Sequence, residues 1–289
     1  MVDEIQVKSI LNKHKKRDDW FLDDYSINPY QGCFNCVYCY TRGSNYGTHL
    51  TKTLSVKVNA PALLEKQLSR RAKKGEYGII CIASQEAYLP IEKEFKMTRK
   101  LLEIISKYRF PVHIGTKSTL VLRDLDILKE IDKNAILPED LNQKLKRGVI
   151  ISFSLSTLDE KLAKIFELGA PTPKERLETM RKCNEEGFLV GVNFIPVLPF
   201  LSDSDERLEE MVKTARGYGA NFVLIGGLTL FGEGKKLYYK ILERYFPELV
   251  PKYKSLFRIF PMPPKEYQKE LEERSIRLCG KYEMKHRII

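Results

Sequence analysis

Short runs of consecutive apolar residues recur along the chain and alternate with longer stretches in which apolar positions return every three or four residues. The first pattern suits strands buried on both faces, the second suits amphipathic helices, and their alternation is the signature of parallel βα units. The runs predict strands at 25–28, 78–83, 112–115, 149–154, 189–195 and 222–225. The periodic stretches predict helices at 62–73, 92–108, 123–131, 158–166, 174–186 and 204–218. Pro61 and Pro173 stand where helices begin, and Gly187 stands where one ends. Six strands covered on both faces predict an α/β fold, a partial (βα)6 barrel of TIM type, whose working residues collect at the C-terminal ends of the strands. Residues 1–24 then read as an N-terminal extension and 25–230 as the barrel. Residues 231–289, rich in Tyr, Lys and Glu and broken by prolines at 260–264, read as a helical C-terminal cap.

Composition adds two constraints. A chain of 289 residues, 43% of them hydrophobic, can bury one large core. It has no apolar run of the roughly eighteen residues that a membrane span needs, and its first residues are charged, so a cytoplasmic protein is expected. The net charge of +11, with basic clusters at 13–17, 70–74, 144–147 and the C-terminal end, favours polyanionic partners. The same clusters also suit the solvated helix faces of a Lys- and Glu-rich, thermophile-like protein.

The chemistry concentrates in the cysteines. Three of the six fall within seven residues, in Asn28-Pro29-Tyr30-Gln31-Gly32-Cys33-Phe34-Asn35-Cys36-Val37-Tyr38-Cys39-Tyr40, directly after the first predicted strand. A C-x2-C-x2-C loop can wrap three corners of an iron–sulfur cube, as in bacterial ferredoxins. No further cysteine follows until Cys81, so one iron corner would stay open to a ligand. Zinc is the alternative, with a remote cysteine or His49 as fourth ligand.

With Tyr38 before the last cysteine, this strand-then-loop order resembles the radical S-adenosylmethionine (SAM) superfamily. The resemblance implies a [4Fe-4S] cluster on Cys33, Cys36 and Cys39, with SAM bound at the fourth iron. One-electron reduction then yields a 5'-deoxyadenosyl radical that abstracts hydrogen from substrate, fed by an external donor such as ferredoxin or flavodoxin. The usual spacing there is C-x3-C-x2-C, and this chain has one residue fewer between Cys33 and Cys36. Further segments resemble the spore photoproduct lyase-like subgroup. They are Tyr88-Leu89-Pro90-Ile91-Glu92 with Thr98-Arg99, Thr116-Lys117-Ser118 with Leu122-Arg123-Asp124, and Ser154-Leu155-Ser156-Thr157-Leu158-Asp159. Glu167-Leu168-Gly169-Ala170-Pro171 with Arg176-Leu177, and Pro196-Val197-Leu198-Pro199 with Asp203, complete the set. Leu168 and Gln85-Glu86-Ala87 depart from the subgroup's pattern.

The resemblance implies that polar residues at the strand ends bind SAM, which makes Ser84, Lys117 and Ser154 candidates, with Tyr38 beside the adenine. Cys81 is the candidate hydrogen donor to a product radical, although a buried core cysteine is the plainer reading. Glu167 and Arg176 either pair structurally or let the glutamate orient the cofactor. Cys183 and Cys279 read as structural, and His49 matches a histidine often found after such a loop. The expected activity is radical SAM chemistry, on a nucleic acid as in a DNA-repair lyase. The alternatives are radical chemistry on a peptide, protein or small metabolite, and a non-catalytic iron–sulfur or zinc protein.

Overall fold

The computed structural model describes residues 2–43 and 54–289. Six strands lie side by side in chain order, each parallel to the next: β1 (Tyr25–Ser26), β2 (Ile80–Ile82), β3 (Val112–Thr116), β4 (Val149–Ser154), β5 (Leu189–Val197) and β6 (Phe222–Gly227). A short strand, Asn12–Lys13, adds to the free edge of β1 in the antiparallel sense. This is the α/β partial barrel that the apolar runs predict.

The connecting helices are α1 (Ala60–Ala72), α2 (Met97–Lys107), α3 (Leu125–Asn134), α4 (Glu160–Phe166), α5 (Pro173–Glu185) and α6 (Asp205–Gly217). Side chains start several of them: Asp159 caps α4, Thr172 and Glu175 form a capping box on α5, and Ser204 caps α6. The single helix predicted over 92–108 is divided. A turn at Glu92–Phe95 ends at Lys96, whose φ of 51° is left-handed, and the Glu92 carboxylate then accepts the Thr98 and Arg99 N–H groups that begin α2.

Alternation along the strands gives the barrel two kinds of face. Ile80, Ile82, Val112, Ile114, Val149, Ile151, Val190, Val192, Val223 and Ile225 join the main core beneath the helices. The other face points inward and is graded along the strands. Near the base Ile79, Ile150, Phe222 and Leu224 pack with Leu22, Leu141, Leu145 and Ile288. Higher up the inward positions become small or polar: Cys81, Ala83, His113, Gly115, Ser152, Ser154 and Asn193. A Cβ on Gly115 would stand 2.7 Å from that of Ala83, so glycine keeps the interior open there.

Both termini are woven into this frame. Val2–Ile5 pairs with Leu54–Lys57, which pairs in turn with Tyr30–Gln31 at the entrance to the cysteine loop. Residues 14–24 run past the free edge toward β6, where Trp20 lies against Gly226 and under the Arg287 guanidinium, 4.2 Å from its ring centre. The C-terminal region is divided. Helices α7 (Gly232–Tyr245) and α8 (Val250–Leu256) stand behind the cysteine loop, sharing a core of Val37, Tyr38, Phe166, Tyr238 and Tyr253. Helix α9 (Lys265–Lys281) instead lies along β6 and α6, held by Tyr267 to Asp203 at 2.9 Å and Arg274 to Asp205 at 2.7 Å. No helix among the described residues is long and apolar enough to cross a membrane.

Candidate functional site

The inward polar positions open into a cavity of about 960 Å³ at the C-terminal ends of the strands. Cys33, Cys36, Tyr38 and Cys39 form one wall, while Cys81, Ser84, Lys117 and Ser154 line the strand ends. The three cysteines of the loop, Tyr38, Cys81, Ser84, Lys117 and Ser154 therefore reach one cavity; Glu167 and Arg176 do not line it, and His49 lies outside the described residues.

The cysteine wall is held at both ends by a tyrosine that donates to a buried glutamate. At the first end the Tyr30 hydroxyl donates to Glu92. Glu92 also accepts from Arg123 at 2.5 Å, and Arg123 and Arg99 both bond Asp124. The Tyr88–Glu92, Thr98–Arg99 and Leu122–Asp124 segments thus prop the loop from beneath. At the second end the Tyr38 hydroxyl donates to Glu167, which also accepts from Ser156 at 3.0 Å. Glu167 and Leu168 pair in register with Cys36 and Asn35. Arg176 bonds Glu167 at 2.6 Å and the Ser154 carbonyl at 2.8 Å, and both ionic side chains are fully enclosed, at 1% and 0% exposure. Of the two readings of Glu167 and Arg176, the pairing is the one seen, and the carboxylate also anchors Tyr38. Burial pushes the Glu167 carboxyl up, but Arg176 and Lys117 outweigh it and hold it below the usual range.

Glu86 braces the third side. It accepts from the Thr116 hydroxyl at 2.5 Å and from the Lys117 and Tyr88 N–H groups at 2.8 and 3.0 Å. Lys117 is thereby aimed at the thiols. Its ammonium lies 5.9 Å from the centre of the Tyr38 ring and has no hydrogen-bond or ion-pair partner among the described residues.

Burial pushes the Cys33 thiol up to about 12, with Glu86 adding to the effect, and the Cys36 thiol up to about 11 against the pull of Lys117. Thiols so placed ionise readily only when a metal's charge joins them. The three share a wall without converging: among the described residues no three Cys, His, Asp or Glu side chains stand at metal-binding distances. The donor set nevertheless fits an iron–sulfur cluster, with three thiols on one loop, room beside them for a nucleoside, and the Lys117 ammonium facing both.

Two features escaped the sequence reading. One is a hydrogen-bond chain across the barrel interior. His113 Nδ1–H donates to the Phe21 carbonyl at 2.8 Å, Nε2 accepts from Ser152 at 2.8 Å, and Ser152 accepts from Asn193 Nδ2 at 2.8 Å. Asn193 Oδ1 is left buried at the cavity wall, without a hydrogen-bond partner among the described residues. Burial pushes His113 down to about 4, so the ring is neutral. A single polar residue at an inward position of an apolar run, as Asn193 is in β5, was the available signal. The other feature is the wall formed by His14 to Asp23, from the segment read as an extension.

Residues 27–215 match the sequence model of the radical SAM superfamily. An uncharacterized protein of Mycobacterium tuberculosis is 30% identical over 267 residues, covering 90% of this chain and 75% of the relative. One of Methanocaldococcus jannaschii is 30% identical over 229 residues, covering 78% and 77%. Among solved structures, spore photoproduct lyase complexed with dinucleoside spore photoproduct superposes with a TM-score of 0.67 at 18% identity, over 97% of this chain and 79% of that one. Streptococcus suis SuiB bound to S-adenosylmethionine gives 0.51 at 18% identity, over 80% and 47%. The chain belongs to the radical SAM superfamily, whose enzymes use a [4Fe-4S] cluster and S-adenosylmethionine.

Proposed function

We propose that this radical SAM enzyme acts on a nucleic acid, with its cluster on Cys33, Cys36 and Cys39 and SAM bound along Tyr38, Ser84, Lys117 and Ser154. When bound, the reduced cluster and SAM supply a 5'-deoxyadenosyl radical that takes a hydrogen atom from substrate. Lys117 faces the SAM carboxylate, the one anion in that cofactor that matches an unpaired ammonium. Ser154, with Asn193 beside it across the β4–β5 register, offers a hydroxyl and a carbonyl to ribose or adenine. Tyr38 closes the adenine side, and Glu167 keeps its ring in place.

Cys81 is the proposed hydrogen donor to the substrate-derived radical. It is buried at the cavity wall, and burial, reinforced by Asp23, raises it well above the ordinary thiol value, so it stays S–H. Giving up a hydrogen atom leaves a sulfur-centred radical, which an electron from the external donor and a proton return to the thiol.

The observation that carries the nucleic-acid reading is the siting of the basic 13–17 cluster: Lys15 and Lys16 line the mouth of the same cavity that holds the cysteines. The net charge of +11 adds a long-range attraction for polyanions. A structural neighbour complexed with a dinucleoside is consistent with it.

The test is anaerobic reconstitution with iron and sulfide, followed by dithionite and SAM, with 5'-deoxyadenosine as the readout. The wild type should release it and Cys36→Ala should not. Single- and double-stranded oligonucleotides should bind at low salt, with affinity falling steeply as salt rises. Cofactor cleavage without any nucleic-acid affinity would move the substrate to a peptide, protein or metabolite. A metal-loaded protein that never cleaves SAM would sink the catalytic reading.

A further inference from the structure

The wall formed by residues 14–23 is a built structure. Asp18 Oδ1 accepts the N–H groups of Trp20 and Phe21, both at 2.8 Å, and the Asp18 carbonyl accepts that of Leu22 at 2.8 Å. Arg17 is fixed to Asp24 at 3.0 Å and to Asp140. Leu22 takes a left-handed φ of 57°, a conformation that L-residues avoid, and its side chain packs into the base of the barrel. The next residue, Asp23, lines the cavity.

Asp23 is 7% exposed. Its Oδ2 lies 3.2 Å from His14 Nδ1, and His14 Nε2 is bonded to the Ser26 hydroxyl at 3.1 Å. Its Oδ1 is buried and has no hydrogen-bond partner among the described residues. Native proteins rarely leave such an acceptor empty, because it has given up its water for nothing. Cys81, in register with the Ser26 to which His14 is bonded, lines the same cavity. Lys15 and Lys16 are exposed at the mouth. Lys15 has no ion-pair partner among the described residues, and Lys16 has only the exposed Asp19 at 3.8 Å.

An enclosed acceptor with cations outside it is the complement of a nucleotide, whose base carries N–H donors and whose backbone carries the charge. We propose that this wall reads the substrate base: Asp23 Oδ1 accepts a hydrogen bond from an imide N–H of a pyrimidine seated against Cys81, and Lys15 and Lys16 hold the adjoining phosphates. The inference rests on the nucleic-acid reading above and deepens it. His14 is a positioning residue, fixing which carboxylate oxygen faces the base.

The test uses the reconstituted, SAM-loaded protein without reductant and two fluorescently labelled probes, a short oligothymidylate and the same oligomer methylated at every N3. Anisotropy reports affinity. Trp20, the chain's one tryptophan and three residues from Asp23, reports engagement of this wall. The wild type should prefer the unmethylated probe about tenfold or more, the worth of a hydrogen bond to a charged group. Trp20 emission should change on binding. Asp23→Ala should reduce the preference to within about twofold while keeping affinity for the methylated probe. Lys15→Ala with Lys16→Ala should weaken both probes alike and flatten the salt dependence. Equal binding of the two probes by the wild type would overturn the role of Asp23 while leaving nucleic-acid binding intact, and that comparison needs no variant to fold. Failure of both probes to bind at low salt would overturn the nucleic-acid reading and this inference with it.

Discussion

Two walls face each other across the cavity, and they are anchored to the barrel interior by different means. The cysteine wall hangs on buried charge, through Glu167 with Arg176 at one end and Glu92 with Arg123 at the other. The N-terminal wall is tied to the barrel interior by a neutral contact, the His113 ring on the Phe21 carbonyl. A buried ion pair is rigid and costly to break, because removing one partner strands the other charge away from water. A neutral imidazole is a conditional link in the interior chain: a proton on Nε2 would cancel its acceptance from Ser152, while Nδ1–H would go on donating to the Phe21 carbonyl. The cysteine wall is held by buried charge; the opposite wall has the part-exposed Arg17–Asp24 pair and reaches the barrel interior through a neutral ring whose far nitrogen is the proton-sensitive one.

The sharpest way to break this contrast is Arg176→Ala. It leaves Glu167 ionic and enclosed, and should cost about 3–5 kcal/mol, read as a fall in the urea midpoint with an unchanged slope. The freed Glu167 would also lose its hold on Tyr38 and on the paired Cys36 segment, so iron content after reconstitution should drop. A variant that melts and loads iron like the wild type would mean that packing by α7 and α8, rather than charge, holds the loop.

Acidification addresses the other wall. His113 is depressed to about 4 from an ordinary 6.5. Its contribution is therefore fully present above pH 6.5, where both folded and unfolded states are neutral, and is lost as pH falls toward 4, because only the unfolded chain takes up the proton. The difference of roughly 2.5 units corresponds to about 3 kcal/mol. Glu167, held below the usual carboxylate range, loses its contribution at lower pH, and Asp23, raised by burial, works in the opposite sense. The slope of stability between pH 6.5 and 4, compared between the wild type and His113→Gln, isolates the histidine. Equal slopes would show that the barrel interior is not proton-sensitive through this ring.

Glu92→Gln should have a smaller effect than Arg176→Ala, because its partner Arg123 is 24% exposed and can recruit water. The amide keeps the shape but turns an N–H₂ toward one of two donor sets, Tyr30 with Thr98 or Arg99 with Arg123, for about 1–3 kcal/mol in the same urea titration. A loss as large as that of Arg176→Ala would erase the distinction between the dry and the wetted end of the loop.

The two walls were also unequally legible in the sequence. The cysteine loop announces itself by spacing, and β2 to β6 by apolar runs, since parallel strands covered on both faces leave a continuous hydrophobic signal. The strands Val2–Ile5 and Asn12–Lys13 carry Asp, Glu, Asn and Lys, as short edge strands do, and fall within the segment read as an extension. The break at Lys96 was hidden because Glu92 acts as a helix start only after folding brings it beside Thr98. Asp23 and His14 meet across a turn whose left-handed residue is a leucine, with no glycine to mark it. The role of Asn193 depends on which face of β5 it occupies, which only the register fixes.

The finest comparison is between the tyrosines at the two ends of the cysteine loop. Tyr38→Phe removes one donor from Glu167, which keeps Ser156 and Arg176, so the cost should be near 1 kcal/mol or less. Tyr30 does more. Its hydroxyl donates to Glu92 and also accepts the Met97 N–H at 3.3 Å, one of the donors that the start of α2 leaves unpaired. Tyr30→Phe therefore leaves a buried donor without a partner and should cost more, about 1–2 kcal/mol. The ranking is the test, read from paired urea titrations of the two variants. If Tyr38→Phe proves the costlier, the carboxylate at the dry end depends on its tyrosine despite its other partners, and the fully enclosed ion pair is not self-sufficient.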